Sequence, residues 1–522
     1  FAEDASPMSH PIRPEKVIEM NNFYTVTVYE KGAEVIRMLH TLLGEQGFQK
    51  GMQLYIAEND GKAATCEDFV SAMERANDVH LAQFRRWYSQ SGTPELLISD
   101  AYDEQTHTYR LTVSQSTPPT ADQMEKVNLH IPLKIALYDA KGTKQMLQHN
   151  GELLSDVLNV TEKDQVFEFH GIYGRPIPAL LCDFSAPVKL DYDYTTEQLL
   201  GLLKFADNQF ARWDAAQMLF TQELRRNVAH FQQGEAFDIS PDVLTALAHV
   251  LENYEQDIEL ATLILTLPKD IEFAESFKTI DPDGIAAARE FMLVQIAEYL
   301  KEDLLRIYTH IRLEDYQVTQ KDIALRAMRN LCLSYLAYTN LGNNVVQKHY
   351  NNANNMTDTL AALNMATKAS LPCRDTLLAD FEQKWQHDGL VMDKWFALQA
   401  TRPDENVLEI VQALMEALID GGISMQATHI EVLLSNQIRS AFNIYGKPNW
   451  NNKCEPYQIL TLSKSLAENP SITKTLDFQN LGRILKSPSF FEKTATSTVD
   501  YFFQEQPQKF MNSPDLVRES NA

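Results

Sequence analysis

Two phenols stand close together in the run Glu19-Met20-Asn21-Asn22-Phe23-Tyr24-Thr25-Val26-Thr27-Val28-Tyr29-Glu30-Lys31-Gly32. The apolar series that follows predicts a helix whose first turn begins near Tyr29 or Glu30. A phenol at a helix N-terminus lies at the positive end of the helix dipole and is a good donor to a developing oxyanion. The same residues also read as a polar loop entering a helix, with Tyr24 and Tyr29 as packing tyrosines whose hydroxyls find local partners. Elsewhere the chemical scan is negative. The 13 histidines are dispersed, with no HExxH, no HxH and no Cys/His cluster at ligand spacing. There is no GxSxG elbow, no glycine-rich phosphate loop and no GxGxxG.

Composition bounds the elements that must position those phenols. The chain has 522 residues, 46 basic against 71 acidic, for a formal net charge of −25. Hydrophobic residues make up 44% and charged residues 22%. That is globular usage, with length for about three domains. The acidity argues against phosphate backbones and anionic membrane surfaces as partners. No stretch approaches ~18 uninterrupted apolar residues, so no membrane span is predicted. The opening Phe1-Ala2-Glu3-Asp4 has neither a basic nor an apolar leader. With Phe in first place, the chain is expected either to have lost a segment or to begin inside a longer one. Cys66, Cys182, Cys332, Cys373 and Cys454 are scattered without a CxxC pair. This predicts buried thiols in a reducing compartment and no structural disulfide.

Three textures follow one another. Over residues 1–92 a loop leads into helices. Val35, Ile36, Met38, Leu39, Leu42 and Leu43 share one face, Gly44 stops that helix, and Thr65-Cys66-Glu67-Asp68 caps another. A further helix is expected through Leu81, Phe84, Trp87 and Tyr88. From Pro94 to about Tyr194 the period falls to two. Strands are expected at Tyr109–Ser114, Leu129–Leu137, Val166–Phe169, Ala179–Phe184 and Val188–Tyr192, an antiparallel β-sandwich-like module. Pro132 marks an edge strand or a bulge. From Thr195 the pattern is helical, with Ser240-Pro241, Asp281-Pro282 and Thr319 with Asp322 as helix starts. The helix from Pro282 is expected to reach about Ile311. The array resembles a solenoid but shows no strict period. Trp385, Trp395 and Phe396 are expected in the core.

The segment Tyr29-Glu30-Lys31-Gly32-Ala33-Glu34-Val35 resembles the tyrosine-bearing helix of the gluzincin-type zinc aminopeptidases of bacteria. Phe1-Ala2-Glu3-Asp4-Ala5-Ser6-Pro7 is similar to an interior stretch of that family. Phe84-Arg85-Arg86-Trp87-Tyr88-Ser89-Gln90-Ser91-Gly92-Thr93-Pro94 is similar to the end of its catalytic domain. Pro178-Ala179-Leu180-Leu181-Cys182-Asp183-Phe184 is similar to the end of its β-module. Asn354-Asn355-Met356-Thr357-Asp358, Leu371-Pro372-Cys373-Arg374-Asp375 and the run from Gly389 to Phe396 resemble its helical domain. The resemblance covers about residues 1–420. Beyond it, Asn436-Gln437-Ile438-Arg439-Ser440 is similar to a run whose arginine faces the family's substrate channel.

The resemblance implies a multi-domain α+β fold. Residues 1–92 would be the helical remnant of a thermolysin-like catalytic domain, 93–194 a β-sandwich module and 195–522 a large all-α, solenoid-like domain. The family's zinc, held by HExxH and a downstream Glu, activates water to hydrolyse N-terminal residues from peptides. Those ligands are not in this sequence. Tyr29 would be the oxyanion-stabilising tyrosine, and Asn21, Tyr24, Glu30 and Arg439 would line the substrate side. Glu30 reads equally well as an exposed first-turn acid favoured by the helix dipole. The chain alone is then expected to bind no zinc and to be inactive. Its expected partners are peptide substrates and the missing N-terminal half, with no nucleic acid and no membrane, as a cytoplasmic monomer. The rival expectation is a non-catalytic helical scaffold or binding protein derived from the family.

Overall fold

The computed structural model describes residues 1, 4–5, 9–15, 23–274, 276–277, 279–313, 315–403, 410 and 413–414. The chain divides into two compact units, residues 1–219 and 220–522.

In the first unit a π-helical turn, Thr27–Lys31, runs into α1 (Gly32–Asn59), followed by α2 (Cys66–Asn77) and the short α3 (Arg86–Ser89). Gly44 interrupts α1 with φ 67° and ψ 168°, so the break expected from the sequence is present inside a longer helical run. Val35, Met38 and Leu39 are fully buried, whereas Ile36, Leu42 and Leu43 are half-buried. In α2 the Asp68 N–H donates to Thr65 Oγ1 and the Thr65 N–H donates to the Asp68 carboxylate, closing a capping box. The helix expected through Leu81 shortens to one turn at Arg86–Ser89. There Phe84 and Trp87 are fully buried, and Trp87 Nε1–H donates to the His130 carbonyl at 2.8 Å. The N-terminal stretch is better anchored than a free loop. Asp4, Ser9 and Ile12 are buried, and the Arg13 N–H donates to the Tyr88 carbonyl at 3.2 Å.

The β-module contains β1 (Glu95–Asp103), β2 (Thr108–Ser116), β3 (Ile131–Lys134), β4 (Ala136–Tyr138), β5 (Lys144–Gln145), β6 (Gln148–His149), β7 (Glu152–Leu153), β8 (Val157–Val160), β9 (Asp164–His170), β10 (Ile177–Ala179) and β11 (Lys189–Asp191). One sheet has the order β11-β1-β2-β9 and another β10-β4-β5; β3-β8 and β6-β7 are two-stranded. Three expectations are corrected. First, β11 runs parallel to β1, with Glu95 opposite Lys189, so the module is not wholly antiparallel. Second, Leu129–Leu137 divides at Ile135, whose N–H still donates to the Asp156 carbonyl beside β8 at 2.8 Å before the chain passes to β10 from Ala136. Third, Ala179–Phe184 leaves the ladder after Ala179, because Leu181, Asp183 and Phe184 adopt φ of 59°, 57° and 50°. Pro132 lies in β3, which pairs with β8 alone, as an edge strand requires.

Beyond the sheets come α4 (Thr196–Phe205) and α5 (Gln209–Gln233), the latter running across the boundary between the units. The second unit continues with α6 (Pro241–Glu252), α7 (Ile258–Ile264), α8 (Asp270–Ala274), α9 (Pro282–Tyr299), α10 (Lys301–His310), α11 (Gln320–Leu336), α12 (Gly342–Asn352), α13 (Met356–Lys368), α14 (Arg374–Trp385) and α15 (Gly389–Ala400). Successive helices pack in pairs, α10 on α11, α12 on α13 and α14 on α15, as in an α-solenoid. The long helix expected from Pro282 is interrupted at Leu300, where φ −95° and ψ 5° separate α9 from α10. Thr319 caps α11 by accepting from the Asp322 N–H at 3.2 Å. Trp395 and Phe396 are buried and Trp385 is half-buried. Among the described residues, no helix is long and apolar enough to cross a membrane, and Cys66, Cys182, Cys332 and Cys373 are free thiols. Cys454 lies outside the described residues.

Candidate functional site: the tyrosine turn

Residues at i and i+4 of a helical turn share a face, and i+2 lies opposite. Thr27 and Lys31 form such a pair. Thr27 is 3% exposed, and the Lys31 side chain is 9% exposed. Between them Tyr29 is turned to solvent, 57% exposed. The turn opens at Thr25, whose Oγ1 accepts from the Val28 N–H at 3.1 Å and whose carbonyl accepts from the Tyr29 N–H at 3.2 Å. It closes where the Gly32 N–H donates to the Thr27 carbonyl, the i to i−5 bond of a π turn. Tyr24 is also exposed, and its ring stacks on Tyr29 with centroids 6.1 Å apart and planes at 23°. Glu30 is exposed beside Tyr29. Tyr24, Tyr29 and Glu30 are thus brought together, and Asn21 and Arg439 lie outside the described residues.

What holds this turn was not legible in the sequence. Lys31 Nζ donates to Asp4 Oδ2 at 2.7 Å and to the Gly92 carbonyl at 3.0 Å, and Thr93 Oγ1 donates to the same Asp4 oxygen at 3.0 Å. Burial pushes the Lys31 ammonium below its ordinary pKa, and the Asp4 charge and hydrogen bond only partly oppose this. On the other side of Gly92, Lys126 Nζ donates to the Ser91 carbonyl at 2.9 Å and to Thr120 Oγ1 at 2.6 Å. Further along α1, Arg37 Nη1 donates to the Asp183 carbonyl at 2.7 Å, Arg37 Nη2 donates to the Phe184 carbonyl, and the guanidinium lies 5.6 Å from the Phe184 ring centroid. The helix behind Tyr29 is therefore tied to both chain ends of the β-module. No sequence pattern separates the buried Lys31, or the half-buried Arg37 and Lys126, from surface lysines and arginines.

Chemically, the turn offers exposed phenol donors on a base held by the Lys31–Asp4 pair. A zinc ion of the kind the sequence resemblance implies needs about three clustered ligands. Among the described residues one group of three His, Cys, Asp or Glu side chains has mutually close ligand atoms, His149, Glu168 and His170, and it includes no residue of the tyrosine turn. The described residues at the turn do not hold such an ion.

Comparison with known proteins agrees with this layout. Residues 1–88 match the Peptidase family M1 domain, residues 92–193 a domain of unknown function with an Ig-like fold (DUF3458), and residues 196–418 its C-terminal companion of ARM repeats (DUF3458_C). Aminopeptidase N of Haemophilus influenzae is 89% identical over 416 residues, which are 80% of this chain and 48% of that protein. Aminopeptidase N of Escherichia coli is 54% identical over 418 residues, again 80% and 48%. The chain thus spans about half the length of the curated relatives it matches. A crystal structure of Legionella pneumophila aminopeptidase A in complex with aspartic acid shares the fold, with TM-score 0.74 and 23% identity over 94% of this chain and 58% of that one. Three domain models matched in one order, with relatives this similar, make residues 1–418 similar to part of aminopeptidase N, the match to the Peptidase family M1 domain itself spanning residues 1–88.

Proposed function

We propose that this chain supplies the oxyanion-stabilising tyrosine and part of the substrate wall of a zinc aminopeptidase that hydrolyses N-terminal residues from peptides. The observation that carries this reading is Tyr29 itself. A packing tyrosine buries its ring, whereas this one is 57% exposed on a turn whose flanking side chains are buried. In the proposed reaction Tyr29 donates a hydrogen bond to the oxyanion, Tyr24 stacks against it, and Asn21, Glu30 and Arg439 line the substrate side. Zinc, when bound, supplies the activated water. Its ligands are proposed to lie in a part of the enzyme other than this sequence, so the chain alone is inactive. The proposed division is 1–92, 93–194 and 195–522, working as a cytoplasmic monomer.

The test is Tyr29→Phe in a protein that also carries the zinc-binding part, assayed on an alanyl arylamide. Zinc content and KM stay nearly unchanged, and kcat falls roughly 10²–10³-fold, about 3–4 kcal/mol, the usual loss for one oxyanion donor. An unchanged kcat removes Tyr29 from the mechanism. Turnover of the arylamide by the 522-residue chain alone refutes its inactivity.

A further inference from the structure

The outer face of the β-module gathers side chains that are dispersed in the sequence. Strand alternation puts Glu168 and His170 of β9 on one face, with Phe169 fully buried on the other. The β6–β7 hairpin, turned at Asn150-Gly151 with φ of 51° and 83°, lays His149 beside them. The His149 and His170 rings are 4.4 Å apart at 33°, and ligand atoms of all three residues lie within 4.8 Å of one another. Glu168 is already oriented. Its Oε1 accepts from Arg110 Nε, its cross-strand neighbour, and its Oε2 lies 4.0 Å from His170 Nε2. All three side chains are half-buried, with one side open to solvent.

Two imidazoles and one carboxylate are a donor set for borderline first-row dications. We infer that His149, Glu168 and His170 form a structural site for a divalent cation of the zinc and nickel class, stapling the β6–β7 hairpin to β9. Bonds of about 2.0–2.2 Å bring ligand atoms to roughly 3.3–3.6 Å apart, so the half-exposed side chains close in by about 1 Å. Two features weaken the site. Arg110 adds a positive charge beside it. The Asn150 N–H now donates to His170 Nδ1 at 3.1 Å, a bond given up when a metal on Nε2 leaves the proton on Nδ1. An unsatisfied outer partner of this kind lowers affinity roughly 10–100-fold, which favours micromolar over nanomolar binding. Linear spacing, which led to the expectation of no zinc on this chain, misses the site because its ligands come from two separate strands.

The experiment titrates the 522-residue chain with zinc chloride alone, followed by calorimetry and by the imidazole resonances of ¹⁵N-histidine-labelled protein. One equivalent should bind, shifting the His149 and His170 resonances first. His149→Gln and His170→Gln should each weaken that equivalent at least about tenfold. The exposed His80→Gln should leave it unchanged. Equal zinc binding by the His149→Gln/His170→Gln double variant overturns the site. So do shifts confined to other histidines of the unsubstituted chain, a measurement that does not depend on the folding of any variant.

Discussion

Replacing Lys31 with Met tests the foundation of the tyrosine turn. The side chains of Lys31 and Asp4 are 9% and 8% exposed, and the ammonium makes two short bonds, 2.7 Å to Asp4 and 3.0 Å to the Gly92 carbonyl. Without it the Asp4 carboxylate keeps Thr93 Oγ1 at 3.0 Å, and its Oδ1 has no partner among the described residues. Removing one member of a buried pair leaves an uncompensated charge and costs about 3–5 kcal/mol. The pair as a whole is different. Burial outweighs the pull of Asp4 on the Lys31 ammonium, so the attraction does not repay the desolvation. Lys31→Met combined with Asp4→Leu should therefore lie within about 1–2 kcal/mol of the unsubstituted chain. The assay is native-state hydrogen exchange of the Val28, Tyr29 and Gly32 amides, whose acceptors all lie in the turn. At about 1.4 kcal/mol per decade, the single variant should exchange roughly 10²-fold faster or more, and the double variant within about thirtyfold of the starting rate. A single variant that exchanges within a factor of a few, or a double variant worse than the single, refutes the buried-pair account.

Gly44→Ala should destabilise the first unit by about 1–3 kcal/mol. The added Cβ meets nothing within 4 Å, so the cost is purely that of φ 67° and ψ 168° for a non-glycine residue, read as a fall in thermal midpoint. Gly342→Ala fails for the opposite reason. Its Cβ would stand 2.2 Å from the Ala337 carbonyl oxygen, a backbone atom that cannot swing away, and urea unfolding should show a loss of about 1–3 kcal/mol. His349 makes the second unit acid-sensitive. Burial first, then repulsion from Arg329, hold its imidazole well below the ordinary 6.5 against the pull of Asp358, while Tyr308 Oη sits 3.0 Å from Nδ1. The unfolded chain takes up that proton below about pH 6.5 and the folded unit does not, so stability falls with pH by up to ~1.4 kcal/mol per unit. Urea midpoints at about pH 7.5 and about pH 5 should converge in His349→Gln; an unaltered pH slope in that variant contradicts this.

Local rules carried a good part of this protein. The Thr65–Asp68 box, the Thr319 cap, the Gly44 break and the edge position of Pro132 are decided within about four residues, by capping, backbone conformation and a missing N–H. The Tyr29 turn was legible as a string, and it and the later segments fall, in order, within the three domains matched in known proteins. Other features depend on chain closure over long separations. Whether β11 runs parallel to β1, and whether the helix from Pro282 continues past Leu300, turns on which neighbours pack there. Lys31 reads as one more surface lysine until the fold wraps Asp4 and Gly92 around it. His149 becomes a neighbour of Glu168 and His170 only when a hairpin folds back on β9. Spacing along the chain specifies turns and caps. Burial and the meeting of distant charges are set by the tertiary structure, because desolvation and Coulomb attraction depend on distance in space and not on position in sequence.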